Sequence, residues 1–169
     1  MTSARTANLL GAHALVVADR MRLAAGMELS SAAVLSALET FADGASIDQL
    51  RRVLGLSHSG GVRIVTRLAS QGLVAREADP ADRRAVRLHL TAEGRRAARR
   101  VLAARKETLA GLLAPLGTRE TADLERLLER LLAAVTDDRE AANRICRLCD
   151  PDVCGHPDRC PVTQAALAL

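Results

Sequence analysis

Two short helices in succession are marked in this sequence by signals at their starts and ends. Ser46 and Gln49 have the spacing of a capping box, so a helix is predicted to begin at Ser46. Gly55 is suited to close that helix in the left-handed conformation. Ser57 can cap a second helix, which Gly72 ends. Two short helices joined by a tight, glycine-containing turn predict a helix-turn-helix.

The second helix of this pair has two different faces. One is an apolar stripe that is predicted to pack inward, made of Gly61, Ile64, Val65 and Leu68. The other offers hydrogen-bond donors and positive charge, from His58 in the first turn and from Ser59, Arg63, Thr66 and Arg67. The first turn of a recognition helix is where base edges are usually met. A solvated amphipathic helix would show the same pattern, so this helix alone does not identify a DNA-binding protein.

A pair of short strands is predicted after the second helix. Residues 73–77 form the first strand candidate, and the segment ADPADRRA makes a polar turn. In the return segment, apolar Val86, Leu88 and Leu90 alternate with polar residues, which predicts a strand with one buried face. Thr91 is predicted to cap the next helix. Two helices followed by a hairpin with arginines at its tip have the order of a winged helix.

The segments LSHSGGVRIVTRLASQGLVAR and DPADRRAVRLHLTAEG resemble the MarR family of bacterial transcription regulators. The resemblance covers about residues 5–140 in layout, and its specific motifs lie within 46–94. It implies that the second helix enters the major groove of duplex DNA and that the wing tip reaches a minor groove. The family's D-x-R pattern falls on Asp82 and Arg84, so Arg84 is expected in the minor groove with Asp82 bracing it. The residues expected to contact DNA are His58, Ser59, Arg63, Thr66, Arg67, Asp82, Arg83 and Arg84.

Helices are predicted on both sides of this module, so the expected fold is mainly α with a small β wing. They cover residues 4–25, a short segment capped by Ser30 or Ser31, residues 92–114, and a last helix capped by Thr118. The last helix carries a leucine seam wide enough to require a partner helix. The resemblance implies a two-fold dimer that reads two half-sites. The expected organisation is an N-terminal dimerisation helix (1–29), a winged helix-turn-helix (30–94), C-terminal dimerisation helices (95–145) and a cysteine-rich metal-binding tail (146–169).

Positive charge is concentrated in the predicted DNA-binding part of the chain. The formal net charge is +4, but residues 46–105 hold 13 arginines against five acidic residues, a balance of +8 that leaves −4 for the rest. This uneven placement favours a nucleic acid as partner. Four of these arginines lie in the first part of the helix predicted over residues 92–114, namely Arg95, Arg96, Arg99 and Arg100. They either contact DNA phosphates or lie on a solvated helix surface. The one aromatic residue, Phe41, lies outside the basic span, which favours duplex DNA over stacked single-stranded bases.

All four cysteines lie in one segment near the C-terminus, spaced as Cys146-x2-Cys149-x4-Cys154-x5-Cys160. In a cytoplasmic protein such a cluster indicates a metal site before disulfides. The spacing is similar to that of zinc knuckles, so we expect the four thiolates to bind zinc, with His156 as the alternative to Cys154. An iron–sulfur cluster is the competing cofactor, because Cys160-Pro161 is similar to the end of ferredoxin motifs.

The protein is expected to be a homodimeric transcription regulator that binds pseudo-palindromic duplex DNA, and a repressor is favoured over an activator. The alternative is a redox- or metal-responsive sensor whose cysteine cluster controls DNA affinity. The resemblance also implies a small-molecule effector in the crevice beside the dimer helices, which the sequence does not name. We expect a cytoplasmic location without a membrane partner, because the chain shows neither a spanning apolar run nor a secretory signal. No enzyme is expected, since the sequence offers no nucleophile–base constellation and no phosphate loop.

Overall fold

The computed structural model describes residues 3–80 and 85–168 and is mainly helical, with one two-stranded sheet. The elements in chain order are α1 (Ala4–Ala25), α2 (Leu29–Thr40), α3 (Ile47–Leu54), α4 (His58–Ser70), β1 (Val74–Ala78), β2 (Val86–Leu90), α5 (Ala92–Leu113), α6 (Thr118–Ala134), α7 (Arg139–Cys146), α8 (Pro151–Cys154) and α9 (Pro161–Leu167). The predicted fold class, mainly α with a small β wing, is confirmed.

The two helices of the helix-turn-helix begin at the residues that the sequence indicated. The Ser46 hydroxyl accepts from the backbone N–H of Gln49 at 3.2 Å, and the Gln49 side chain accepts from the Ser46 N–H at 2.8 Å. This capping box starts α3, and Gly55 ends the helix with φ +66°. Ser57 Oγ accepts from the N–H of Gly60 at 3.2 Å and so caps α4. Each start is fixed by bonds between residues three apart, which explains why the sequence alone reveals it.

The predicted starts of two other helices are wrong. Neither Ser30 nor Ser31 caps α2, because the helix already begins at Leu29, with Glu28 in the N-cap position. Ser31 instead opens a run of buried residues through Leu38, all inside the helix. This helix is enclosed by packing against α1, α3, α4, α5 and β2, and burial rather than a local cap sets its limits.

The start of α6 also lies one residue earlier than predicted. Thr118 is the first helical residue, and Gly117 occupies the N-cap position. The Glu120 side chain accepts from the Gly117 N–H at 2.8 Å, which satisfies one of the donors exposed at the helix start.

The core lies between α2, the helix-turn-helix, the sheet and the start of α5. Its largest fully buried side chains are Leu35, Leu50, Leu68, Leu88, Val34 and Val65. The strands are antiparallel, with Val74 opposite Leu90 and Ala78 opposite Val86. Leu88 and Leu90 enter the core as predicted, whereas Val86 is 37% exposed because it lies at the end of the sheet away from the core. The base of the wing is therefore part of the core.

The first turn of α5 fastens the base of the wing. Thr91 Oγ1 caps α5 by accepting from the N–H of Gly94 at 3.0 Å, and it donates to the carbonyl of Gly72 at 2.6 Å. The Thr91 N–H donates to the carbonyl of Leu73 at 3.1 Å. Gly94 lies so close to this carbonyl that a Cβ built on it would stand 1.9 Å from the Leu73 oxygen. Only glycine fits at this contact.

The long helices α1 and α6 carry their apolar side chains outside this core. α1 packs against α5 and α2, whereas α6 packs against α9. Neither α1 nor α6 contains a buried residue among those described. No helix within the described part of the chain combines the length and apolar character needed to cross a bilayer.

Candidate nucleic-acid interface and cysteine cavity

α4 separates a buried face from an exposed one, as its sequence predicted. The stripe of Gly61, Ile64, Val65 and Leu68 is buried. We call the opposite, exposed set the reading face, which consists of His58, Ser59, Arg63, Thr66 and Arg67. It presents two guanidinium groups, an imidazole and two hydroxyls to solvent. These are groups that bind base edges and phosphates.

An arginine of the wing extends the reading face. Arg76 of β1 is exposed, and its Nη2 donates to Thr66 Oγ1 at 2.7 Å. Its guanidinium therefore lies beside α4, although ten residues separate the two along the chain. Arg76 was not among the residues predicted to contact DNA. The one available signal was its place in a strand next to a basic helix.

The hairpin is closed by contacts at the foot of its turn. The N–H of Asp79 donates to the carbonyl of Ala85 at 3.0 Å, and Arg87 Nε donates to Asp79 Oδ2 at 2.8 Å. Three predicted DNA-binding residues of the wing tip, Asp82, Arg83 and Arg84, lie outside the described residues. Their proposed contacts with DNA stay a prediction.

Three of the four arginines at the start of α5, Arg96, Arg99 and Arg100, are paired with carboxylates of the same chain. Arg96 and Arg100 bind Glu93 at 2.7 and 3.1 Å. Hydrogen bonds from these two guanidinium groups lower the pKa of Glu93. Arg99 binds Glu39 at 3.0 Å. These ion pairs favour the interpretation of this surface as a solvated helix face, so the reading face and Arg76 carry the main weight of the candidate interface.

The four cysteines lie around a single cavity of about 480 Å³. Cys146 ends α7, Cys149 precedes the short α8, Cys154 ends it, and Cys160 stands at the N-cap of α9. None of the four forms a disulfide bond. His156 lines the same cavity. The cavity is also lined by Thr40 and Phe41 at the end of α2 and by Arg139 and Asn143 of α7.

The pKa values of the four thiols are shifted in different directions within this cavity. Burial, together with the nearby Cys160 and Cys154, raises the pKa of Cys146 to about 11. Burial likewise raises the pKa of Cys149, and that of Cys154 to about 12. Burial also opposes ionisation of Cys160, but hydrogen bonds from the Thr163 hydroxyl and from backbone N–H groups at the start of α9 lower its pKa. Cys160 is therefore the thiol best prepared to act as a thiolate.

The four cysteine thiols are suitable ligands for a metal ion, but in this structure their side chains do not converge on one point. As they stand, no three Cys, His, Asp or Glu side chains of the described residues are grouped to hold an ion. The backbone nevertheless turns tightly between ligands: the Cys149 N–H donates to the carbonyl of Cys146 at 2.8 Å, and Gly155 has φ +77°. Binding by four thiols would thus require them to rotate into the cavity that they already line.

Comparison with known proteins shows a family match for the helix-turn-helix part of the chain. A family model described as MarR family matches residues 25–85, which include α2, α3, α4 and β1. A curated relative from Bacillus subtilis (strain 168), named uncharacterized HTH-type transcriptional regulator YsmB, is 35% identical over 86 residues. That match covers 51% of this chain, and the chain spans only 59% of the relative's length. The cysteine segment lies beyond the residues that the family model matches.

Solved structures of regulators share the fold. The YusO protein from Bacillus subtilis is 25% identical, with a TM-score of 0.64, over 77% of this chain and 97% of its own. A probable transcriptional regulator from Pseudomonas aeruginosa is 28% identical, with a TM-score of 0.63, over 76% of this chain and 97% of its own. MarR from E. coli, at 22% identity and a TM-score of 0.66 over 78% of this chain and 97% of its own, supports the fold alone. The segment of residues 25–85 is thus similar to the MarR family, and the chain shares the fold of these solved structures.

Proposed function

We propose that this protein is a homodimeric transcription regulator, acting as a repressor, that binds pseudo-palindromic duplex DNA through α4 and the wing. The observation that carries this proposal is the reading face, which is wholly exposed on a helix whose other face is fixed in the core. A helix held in this way can enter the major groove without rearrangement. The match of residues 25–85 to the MarR family model and the basic balance of residues 46–105 support the same function.

The exposed apolar faces of α1 and α6 support a second copy of this chain as the partner. These side chains are each at least 43% exposed, and they are Leu9, Leu10, Leu15, Val16, Leu23, Leu127, Leu128, Leu131 and Val135. Monomeric proteins rarely expose contiguous apolar surface on this scale. A two-fold dimer covers both faces at once and presents two reading faces to two half-sites.

Replacing Arg63 by alanine is expected to weaken DNA binding by about tenfold or more. A well-formed arginine contact with a base contributes roughly 1–3 kcal/mol, and a dimer loses the contact in both protomers. Binding is measured by fluorescence anisotropy with duplexes from the region upstream of the protein's own gene, at several salt concentrations. Affinity of the unaltered protein should fall steeply with salt, because phosphate contacts release counterions.

The matched control is Arg126→Ala on α6. This change removes the same charge and one exposed ion pair, with Asp123 at 3.0 Å, far along the chain from the reading face. We expect its DNA affinity to equal that of the unaltered protein. An equal loss of DNA affinity in both variants would show that binding depends only on the net charge of the protein. Unchanged affinity of Arg63→Ala would contradict the proposed role of the reading face.

For the cysteine cavity, we propose a zinc site formed by Cys146, Cys149, Cys154 and Cys160. The spacing and the shared cavity support this set, and four thiolates satisfy the tetrahedral preference of the ion. Zinc would draw the thiols together and so stabilise the tail. An iron–sulfur cluster is the alternative occupant, because it uses the same four ligands.

Anaerobically purified protein is expected to contain about one zinc ion per chain and to be colourless. Elemental analysis, acid-labile sulfide and the visible spectrum measure this together. Substituting all four cysteines by serine should abolish metal binding, whereas His156→Ala should keep it. A broad visible band together with acid-labile sulfide would show that the site holds an iron–sulfur cluster instead of zinc. Protein that contains neither zinc nor a cluster would refute the metal site.

A further inference from the structure

The three short helices that carry the cysteines, α7 to α9 (residues 139–168), contact two different parts of the molecule; we call this segment the tail. At one end, α9 packs against α6, whose exposed leucines we assign to the dimer interface. At the other end, α7 packs against α3 of the helix-turn-helix, and α7 and α9 pack against each other. The tail therefore spans from the dimerisation helix to the reading head, which is the unit of α2, α3, α4 and the wing.

The contact of α7 with the reading head reaches the turn between its two DNA-binding helices. A Cβ built on Gly55, which closes α3, would lie 3.9 Å from Cδ of Arg144. Arg144 is held in place by an ion pair with Glu140 one turn earlier, at 3.0 Å. A displacement of α7 would therefore also shift the turn that joins α3 to α4.

The cysteine cavity lies between the tail and the reading head. Its thiols come from the end of α7, from the residue before Asp150, from the end of α8 and from the start of α9, while Thr40 and Phe41 lie at the end of α2. An ion bound by the thiols would hold α7 and α9 in a fixed relation beside the end of α2. Through α9 and α7, the tail thus packs against both α6 and α3.

The tail has little apolar burial of its own to keep it docked. Of residues 139–168, those that the structure describes as buried are Ala141, Cys160 and Val162. Its helices have eight, four and seven residues, lengths at which isolated helices are unstable in water. Small units of this kind depend on a metal or another cross-link for their stability.

We infer that the tail is a metal-dependent strut: zinc held by the four cysteines fixes the reading head against the dimerisation helix and thereby strengthens DNA binding. This inference rests on the proposed function and adds its regulation. The docked tail is compatible with DNA, because the reading face is exposed while α7 lies against α3. Two heads held at a fixed separation lose less freedom when they bind two half-sites, so the loaded protein binds more tightly.

The inference is tested with the full-length protein, either loaded with zinc or emptied by a chelator. We expect the loaded protein to bind duplex DNA at least tenfold more tightly. We also expect slower amide hydrogen exchange in α3 and in the turn at Gly55 when zinc is bound, a readout that requires no DNA. The variant with all four cysteines replaced by serine should behave as the emptied protein, with or without zinc.

The Arg144→Ala variant separates metal binding from its transmission to the reading head. It retains all four thiols, so we expect normal zinc content but a reduced zinc effect on both α3 exchange and DNA affinity; Arg126→Ala should keep both effects. Zinc-loaded protein whose α3 exchange and DNA affinity ignore the metal would overturn the strut. Protein that binds no duplex in either state would overturn the proposed function, while the exchange measurement would still decide whether the tail braces α3.

Discussion

The Gly94→Ala variant is expected to lose about 3 kcal/mol or more of its free energy of unfolding, which is the cost of severe overpacking at a site that cannot relax. The added methyl would stand 1.9 Å from the carbonyl oxygen of Leu73 and 3.2 Å from Leu90 Cδ2. The oxygen belongs to the backbone and already accepts from the Thr91 N–H, so it cannot turn aside. Thermal unfolding followed by circular dichroism should show a midpoint lowered by roughly 6–12 °C, since about 1 kcal/mol corresponds to 2–4 °C in a domain of this size.

The same helix supplies the control, Gly111→Ala. Gly111 is exposed in α5, and a Cβ built there meets nothing within 4 Å. Alanine at this position should raise the free energy of unfolding by about 1 kcal/mol, because glycine is a poor helix former. Opposite shifts in the two variants would show that packing against Leu73 decides the result. A Gly94→Ala midpoint within error of the unaltered protein would mean that the wing is not held to α5 as described.

The parts of the fold that the sequence predicted well are those with local physical causes. Ser46, Ser57 and Thr91 each accept a hydrogen bond from an N–H three residues later, so the pattern is complete within one helical turn. The buried stripe of α4 follows equally from helical periodicity. These local signals were enough to predict the helix-turn-helix and the exposed face of its second helix.

Features that depend on contacts between distant segments were not predictable in this way. α2 begins before the serines expected to cap it, because packing on several sides outweighs local preference. Gly61 is unfavourable by helix propensity, yet a Cβ there would stand 3.0 Å from Arg51 Cβ, so the glycine permits the close crossing of α3 and α4. In both places the deciding neighbour lies on another element.

The candidate sites show the same division. The cysteine spacing indicated a shared site, and the structure places all four thiols around one cavity. The docking of α7 on α3 could not be predicted, because about 90 residues separate these helices and neither carries a recognisable pairing motif. Arg76 was missed for a related reason, since only the fold brings its strand beside Thr66.

Replacing Leu131 by glutamate is expected to separate the proposed dimer into monomers. Leu131 is 53% exposed in the middle of the apolar face of α6, between Leu128 and Val135. A carboxylate buried there without a partner would cost about 3 kcal/mol or more of dimerisation free energy, which is roughly 100-fold in Kd. Sedimentation equilibrium should report the mass of one chain at concentrations where the unaltered protein is a dimer. DNA affinity should fall as well, because a monomer reads one half-site.

The control for this change is Ala122→Glu, which adds the same charge to the same helix. Nine residues separate positions 122 and 131, so at 3.6 residues per turn they lie on opposite sides of α6, and Ala122 is exposed. This variant should remain dimeric and bind DNA normally, because its carboxylate stays in water. If Leu131→Glu also stays dimeric, α6 does not form the interface. The tail packed on α6 would then lose its fixed support, and the strut would have nothing to brace the reading head against.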